Sequence, residues 1–185
     1  MELQQVIHSR KGVRFHCASC GRCCSGESEG LVFLYRDDIR NIASFLMMSE
    51  AYFLLNYCDV VDAAYKSAYV PTIIIKLNPN TSSCLFQKND GNCTIYPVRP
   101  FQCVSFPFWH LNLVNEQSWE RIKENCPGLS TPKQGHLYTI EEINVFLDKE
   151  RQLEDDYFQF LEQNDFKLTK IYPCLEKKET ASNVT

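Results

Sequence analysis

Four cysteines fall within eight residues near the start of the chain, in the stretch CASCGRCC. They are Cys17, Cys20, Cys23 and Cys24, so the spacing is C-x2-C-x2-C-C. A C-x2-C step lets two side chains converge on one metal ion from a tight turn. The cluster therefore limits this segment to a metal site, a redox dithiol or a disulfide framework.

The likelihood of disulfides depends on the compartment, and the sequence favours a reducing one. The opening residues MELQQVIHSRKGVRFH contain no apolar signal segment, and no apolar run approaches the roughly 18 residues that span a bilayer. We therefore expect a cytoplasmic protein without membrane contact, in which ten cysteines serve metal binding or redox chemistry. The net charge of −4 and the lack of a long basic stretch predict no nucleic-acid partner, which leaves an unknown protein or small molecule.

Four later cysteines complete a set of eight. Four thiolates are what one tetrahedral zinc ion or one 4Fe–4S cluster requires, so eight suffice for two centres. The predicted metal ligands are Cys17, Cys20, Cys23, Cys24, Cys84, Cys93, Cys103 and Cys126.

A working partition divides these ligands into two groups. The successive x2 spacings are similar to the three-ligand run of bacterial ferredoxins, whose next ligand precedes a proline, as Cys126 precedes Pro127. If Cys23 and Cys24 are extended, their side chains point to opposite sides, so that they serve different centres or Cys24 serves none. The partition then places Cys17, Cys20, Cys23 and Cys126 at one centre, and Cys24, Cys84, Cys93 and Cys103 at the other.

Two cysteines and one histidine have more ordinary interpretations. Cys58, in a predicted apolar helix, and Cys174 are interpreted as small buried apolar residues. His16 adjoins Cys17 and is a minor ligand candidate, while a surface or supporting role is the alternative.

Three motifs together resemble a known family. They are CASCGRCC, then CLF followed by GNCTIYPVRPFQCVSFPFW, then CPG, and they span Phe15 to Gly128. This combination is similar to the YkgJ-type cysteine-cluster family, the zinc- or iron-chelating CxxCxxCC domain. The resemblance implies metal or iron–sulfur binding. A flagellin lysine methylase carries a similar domain, so the resemblance also allows an enzyme but implies no substrate.

Several other motif residues have candidate roles at such a centre. The guanidinium of Arg99 is a candidate to bind the cofactor by pairing with the negative charge of a four-thiolate centre, and an ordinary surface salt bridge is the alternative. The aromatic residues would keep water from the centre, although simple core packing is compatible with the same pattern. They are Tyr96, Phe106, Phe108 and Trp109.

The pattern of apolar residues and chain breakers predicts an α+β fold. We expect a single compact domain over residues 1–175, with cysteine-rich metal-binding loops between short strands and packed helices, and a disordered tail over 176–185. The predicted helices are 36–48, 49–58 and 139–162, and the predicted strands are 31–35 and 72–77. Residues 84–126 are expected to hold short strands and one short helix near Pro97.

The sequence thus favours a metal-binding cysteine-cluster protein. The cofactor is predicted to be an iron–sulfur cluster, of the 4Fe–4S type, with a redox or group-transfer role. The alternative is a zinc-stabilised structural or protein-binding module without catalysis. No P-loop, Rossmann glycine pattern or nucleophile elbow is present, and the question of enzymatic activity stays open.

Overall fold

The computed structural model describes residues 3–9, 11–25, 31–65, 68–130 and 135–176, and it has an α+β fold. The helices are α1 (Leu3–Val6), α2 (Arg36–Phe45), α3 (Glu50–Tyr57), α4 (Phe101–Ser105), α5 (Glu116–Asn125), α6 (Pro127–Ser130), α7 (Ile140–Glu162) and α8 (Leu168–Ile171). The strands are β1 (Val13–Phe15), β2 (Cys58–Tyr65), β3 (Ala68–Ile75) and β4 (His136–Tyr138). Across the described ranges, no helix combines the length and the apolar character needed to cross a membrane.

The three helices expected from the sequence are present, with the caps that their first residues predict. The hydroxyl of Ser49 accepts a hydrogen bond from the backbone N–H of Tyr52 and so caps α3. At the start of α7, Thr139 and Glu142 satisfy each other's backbone N–H groups in a capping box.

An antiparallel hairpin of β2 and β3 forms one sheet, in the register Cys58 opposite Ile75 and Tyr65 opposite Ala68. Most of β3 is buried, including Val70, Ile73, Ile74 and Ile75, whereas β2 after Cys58 is exposed or half-buried. The prediction that Cys58 lies in a helix is wrong, because α3 ends at Tyr57 and Cys58 is the first residue of β2.

The predicted strand over 31–35 is an extended segment that lies beside β3. The N–H of Leu34 donates to the carbonyl of Ile73 at 2.9 Å, and the N–H of Ile75 donates to the carbonyl of Val32 at 3.0 Å. Only Phe33 forms a β-bridge within this segment, to Ile74. The second predicted strand is longer than expected at its start, since β3 runs from Ala68 to Ile75.

The region over 84–126 is more helical than expected. Besides the predicted short helical turn at Pro97 (Tyr96–Val98), it contains α4, a second short turn (His110–Asn112) and α5. Its β-structure is limited to two isolated bridges, Leu77 to Cys84 and Gln87 to Cys93. The expected set of short strands is therefore wrong for this part of the chain.

Two apolar clusters form the interior, and the cysteine segments contact both. The first joins α2, α3 and β3, and Cys24, Cys93 and Cys103 pack against it. The second is built around aromatic residues, including Phe108 and Trp119, and Cys126 packs against it. Of the expected tail, only Glu176 is described, and residues 177–185 lie outside the described part of the chain.

Candidate metal centre

A tight turn shapes the N-terminal cysteine cluster. Gly21 adopts a left-handed conformation, with φ of 70°, and a 3-10 turn follows over Arg22–Cys24. Because Cys23 and Cys24 lie in this turn and not in an extended segment, their sulfur atoms are 3.8 Å apart. The premise that adjacent cysteines point to opposite sides is therefore wrong here.

Backbone hydrogen bonds attach the second cysteine segment to this turn. The N–H of Cys84 donates to the carbonyl of Cys24 at 2.8 Å. The side-chain amide of Gln87 donates to the carbonyl of Gly21 at 2.9 Å, and Gln87 itself bridges to Cys93. These contacts bring Cys84 and Cys93 beside Cys24, although the two segments are distant in the chain.

A cavity of about 200 Å³, which we call the large thiol cavity, collects six of the predicted ligands. Arg99, His16 and the aromatic residues Tyr96, Phe106 and Trp109 also line it. Its cysteines are Cys17, Cys23, Cys24, Cys84, Cys93 and Cys103.

A second cavity, of about 120 Å³, which we call the small thiol cavity, collects the remaining two predicted ligands, Cys20 and Cys126. Cys17 and Cys23 line this cavity as well as the large one. Neither Cys58 nor Cys174 is among the residues that line either cavity.

Helix α4 positions Cys103 in the large thiol cavity, and two polar side chains hold this helix. The carboxylate of Asp38, in the first turn of α2, accepts a hydrogen bond from the N–H of Phe101 at 3.0 Å. Gln102 accepts a hydrogen bond from the N–H of Phe33 at 2.7 Å and donates one to the carbonyl of Leu31 at 3.0 Å.

Neither Asp38 nor Gln102 was predicted to support the site. The position of Asp38 near a helix start predicted a cap for α2. Asp38 forms that cap by accepting a hydrogen bond from the N–H of Tyr35. No sequence pattern indicates its second bond, to Phe101, or the two bonds of Gln102.

The cavity thiols lie close enough to influence one another's ionisation. The hydrogen bond with the Cys24 thiol raises the pKa of Cys23. Burial raises the pKa of the Cys103 thiol, and the charges of Cys84, Cys23 and Cys93 raise it further. A bound metal cation would reverse this effect, since it favours the thiolate form.

Arg99 is the cation that opposes this repulsion. Its charge lowers the pKa of Cys23, Cys93 and Cys103 against the larger effects that raise them. The guanidinium carbon lies 3.8 Å from the centre of the Tyr96 ring, and the buried Nε has no hydrogen-bond partner among the described residues. An unpartnered buried N–H beside a group of thiols fits an anionic centre better than a surface salt bridge.

The aromatic residues predicted to wall the centre divide into two groups. Tyr96, Phe106 and Trp109 line the large thiol cavity. Phe108, which is 1% exposed, lies in the second apolar cluster and lines neither cavity. Its role is therefore core packing.

His16 lines the large thiol cavity, and its buried Nδ1 has no hydrogen-bond partner among the described residues. His16 therefore keeps a place among the minor ligand candidates. We assign no catalytic residue.

The chemistry of these residues fits a thiolate-bound metal. Soft thiolates select zinc, copper(I) and iron–sulfur clusters, and Arg99 supplies a compensating charge. Among the described residues, no three Cys, His, Asp or Glu side chains already form a coordination shell. Metal binding would therefore draw sulfur atoms inward from the cavity walls, so that binding and local folding are coupled.

Comparison with known proteins identifies the family of this chain. No solved structure matches the chain. The family model CxxCxxCC, described as "Putative zinc- or iron-chelating domain", matches residues 16–127, which is more than half of the chain and includes all eight cysteines of the two cavities. The chain therefore belongs to the CxxCxxCC family of metal-chelating domains.

Proposed function

We propose that this protein is an iron–sulfur protein that carries a 4Fe–4S cluster in the large thiol cavity. The observation that carries the proposal is the grouping of six thiols and one arginine around about 200 Å³ of space. A single zinc ion with its thiolates in contact needs little space beyond the ion itself. A cluster of iron and sulfide ions needs a larger cavity, and the surrounding aromatic residues limit water access to it.

The four ligands proposed for this cluster are Cys24, Cys84, Cys93 and Cys103. They line the large cavity and not the small one. Burial supports the choice, because Cys84 is only 8% exposed and the other three are half-buried, whereas Cys17, Cys20 and Cys23 are exposed. A shielded position limits the access of oxygen to a cluster.

Arg99 would bind the cluster through its charge and its free N–H. A cluster with four thiolate ligands keeps a net negative charge, and charge and hydrogen bonds near the sulfur atoms tune its reduction potential. Arg99 would therefore favour the more negative, reduced form of the cluster.

The proposed activity is electron transfer or group transfer. Group transfer would need a substrate beside the cluster, where Gln102, Trp109 and Tyr138 continue the lining of the large thiol cavity. We also propose a reducing, cytoplasmic location, because eight cysteines gather in the lining of two cavities as metal ligands would, and such thiols persist in a reducing compartment.

The distance between the sulfur atoms of Cys23 and Cys24 favours a second candidate function, a zinc-stabilised module. Two thiolates bound at 2.3 Å to a tetrahedral zinc ion lie about 3.8 Å apart. The sulfur atoms of Cys23 and Cys24 have this separation, 3.8 Å, in the structure. A cubane cluster instead binds each thiolate through a different iron, which places the sulfur atoms farther apart.

Metal and sulfide analysis of protein purified without oxygen tests both functions. Iron and acid-labile sulfide in equal amounts, with a brown colour, support the cluster. Colourless protein that contains zinc and no sulfide would contradict it and support the zinc module. Cys93→Ser should lose the iron, whereas the matched control Cys174→Ser, outside both cavities, should keep it.

A further inference from the structure

A cavity of about 380 Å³, which we call the helix cleft, lies between α2 and α7. It shares no lining residue with either thiol cavity. Its volume is typical of small-molecule sites, which measure roughly 300–1,000 Å³. Its rim carries exposed charged and amide side chains, and its floor is formed by four half-buried apolar and aromatic residues, Tyr35, Leu153, Tyr157 and Phe160.

Two rings of this floor are fixed by contacts outside the cleft. The hydroxyl of Tyr157 donates a hydrogen bond to the carbonyl of Pro71 at 3.0 Å. The ring of Tyr35 meets the ring of Tyr157 edge to face, with the ring centres 6.1 Å apart. The cleft therefore offers an ordered apolar surface, which a ligand can cover without first ordering it.

Arg36, the first residue of α2, lies at the rim with its charge unpaired. Its guanidinium carbon is 4.4 Å from the centre of the Phe160 ring, so the ring orients the guanidinium group. In the described part of the chain, this group has no hydrogen-bond acceptor and no ion-pair partner. Its N–H groups are therefore available as a planar fork, which matches the two oxygen atoms of a carboxylate.

Asp156, on α7, carries the second unpaired charge of the cleft. Its carboxylate likewise has no hydrogen bond or ion pair with any described residue. The two other charged residues of the rim, Asp37 and Arg40, neutralise each other at 3.2 Å. A purely anionic ligand would be repelled by Asp156 and a purely cationic one by Arg36, whereas a ligand with both charges would satisfy both side chains.

We propose that the helix cleft binds a free amino acid with an apolar or aromatic side chain. Its carboxylate pairs with Arg36 and its ammonium group with Asp156, while its side chain packs on Tyr35, Leu153 and Tyr157. This proposal goes beyond metal binding and does not depend on the iron–sulfur proposal, because the cleft and the thiol cavities have no residue in common.

Isothermal titration calorimetry of the full-length protein, with the metal it retains on purification, tests the ligand class. L-phenylalanine is compared with 3-phenylpropanoate, which lacks the ammonium group, and with 2-phenylethylamine, which lacks the carboxylate. We expect one equivalent of L-phenylalanine to bind at least about tenfold more tightly than either compound. Binding of 3-phenylpropanoate with equal affinity would show a simple anion site and overturn the proposal, as would the absence of saturable binding by L-phenylalanine at millimolar concentration.

Variants at the two unpaired charges test the assigned contacts. Arg36→Gln and Asp156→Asn should each weaken the binding of L-phenylalanine by about tenfold or more. Arg151→Gln and Asp148→Asn are the matched controls, because these two exposed residues of α7 pair with each other outside the cleft, and both variants should keep the affinity. Equal weakening in all four variants would show a general charge effect and contradict the proposal.

Metal analysis of the same samples distinguishes failure of this proposal from failure of the iron–sulfur proposal. The four variants should retain the metal content of the unmodified protein, since none of these residues lines a thiol cavity. Protein that contains no cluster but binds L-phenylalanine through Arg36 and Asp156 supports the helix cleft and contradicts only the cluster.

Discussion

The carboxylate of Asp38 accepts a hydrogen bond from the backbone N–H of Phe101 at 3.0 Å and thereby joins the first turn of α2 to the helix that carries Cys103. The other carboxylate oxygen accepts from the N–H of Tyr35, also at 3.0 Å. One half-buried side chain thus satisfies two backbone donors and fixes a wall of the large thiol cavity.

Replacement of Asp38 should therefore destabilise the protein. In Asp38→Ala, two backbone N–H groups lose their acceptor, which is expected to lower the free energy of unfolding by about 2 kcal/mol. Urea denaturation measures this change. Asp37→Ala is the matched control, since Asp37 is exposed and forms one ion pair with Arg40, and its cost should stay below about 1 kcal/mol. Equal losses in the two variants would contradict the bridging role.

The close approach of Gly128 to the backbone of His16 predicts a steric effect at the small thiol cavity. In Gly128→Ala, the new methyl group would meet the backbone carbonyl of His16, so the segment of Cys126 must shift. We expect a loss of about 1–3 kcal/mol in the free energy of unfolding, measured by urea denaturation. Ala18→Gly, an exposed change in the lining of the same cavity, should cost less than about 1 kcal/mol. A Gly128→Ala variant as stable as the unmodified protein would show that this close approach is not required.

Removal of the charge of Arg99 should change the reduction potential of the proposed cluster. Arg99→Gln takes away a cation that favours the reduced, more negative form, so the potential should become more negative. A redox titration followed by absorbance measures the shift. Arg22→Gln removes an exposed charge that bonds to the carbonyl of Asn125, and it should leave the potential nearly unchanged. A shift of the same size in both variants would indicate a general charge effect and not a specific one.

The capping box of α7 predicts part of the pH dependence of stability. The hydrogen bond from the N–H of Thr139 and the neighbouring His136 lower the pKa of Glu142 in the folded state. Because the pKa is lowered on folding, the ionised Glu142 carboxylate stabilises the folded state above the ordinary glutamate pKa, about 4.3. This stabilisation is lost as the pH falls through the lower folded value.

Glu142→Gln should therefore make the loss of stability shallower as the pH falls below the ordinary glutamate pKa, about 4.3. Chemical denaturation at a series of pH values provides the measurement. Glu141→Gln is the control, because the Glu141 carboxylate, one residue earlier in α7, takes no part in the capping box. An unchanged slope in Glu142→Gln would show that the capping carboxylate contributes nothing to the acid transition.

The sequence predicted those elements whose signals are local. Ser49 and Thr139 mark helix starts through side-chain caps that act within one turn, and both caps are present. Strand β2 was missed because CDVVDAAY contains acidic residues and alanine, which have low strand propensity. Its pairing with the apolar strand β3 outweighs that local preference.

At the candidate centre, too, local sequence signals were predictable and contacts between distant segments were not. Cysteine spacing predicted which eight residues to consider, and the structure brings all eight into the lining of two cavities. The two cavities share Cys17 and Cys23, which no spacing rule indicates, because the 3-10 turn after Gly21 decides where those thiols lie. The unpartnered Nε of Arg99 is likewise a property of the folded chain.

Anaerobic reconstitution tests whether the large thiol cavity holds a 4Fe–4S cluster. The metal-free, reduced protein is supplied with iron and sulfide, and absorbance and electron paramagnetic resonance spectra are recorded before and after reduction. We expect a 4Fe–4S cluster that becomes paramagnetic on reduction and is absent in Cys93→Ser. Failure to assemble a cluster, in protein that binds zinc tightly at fixed stoichiometry, would contradict the iron–sulfur proposal.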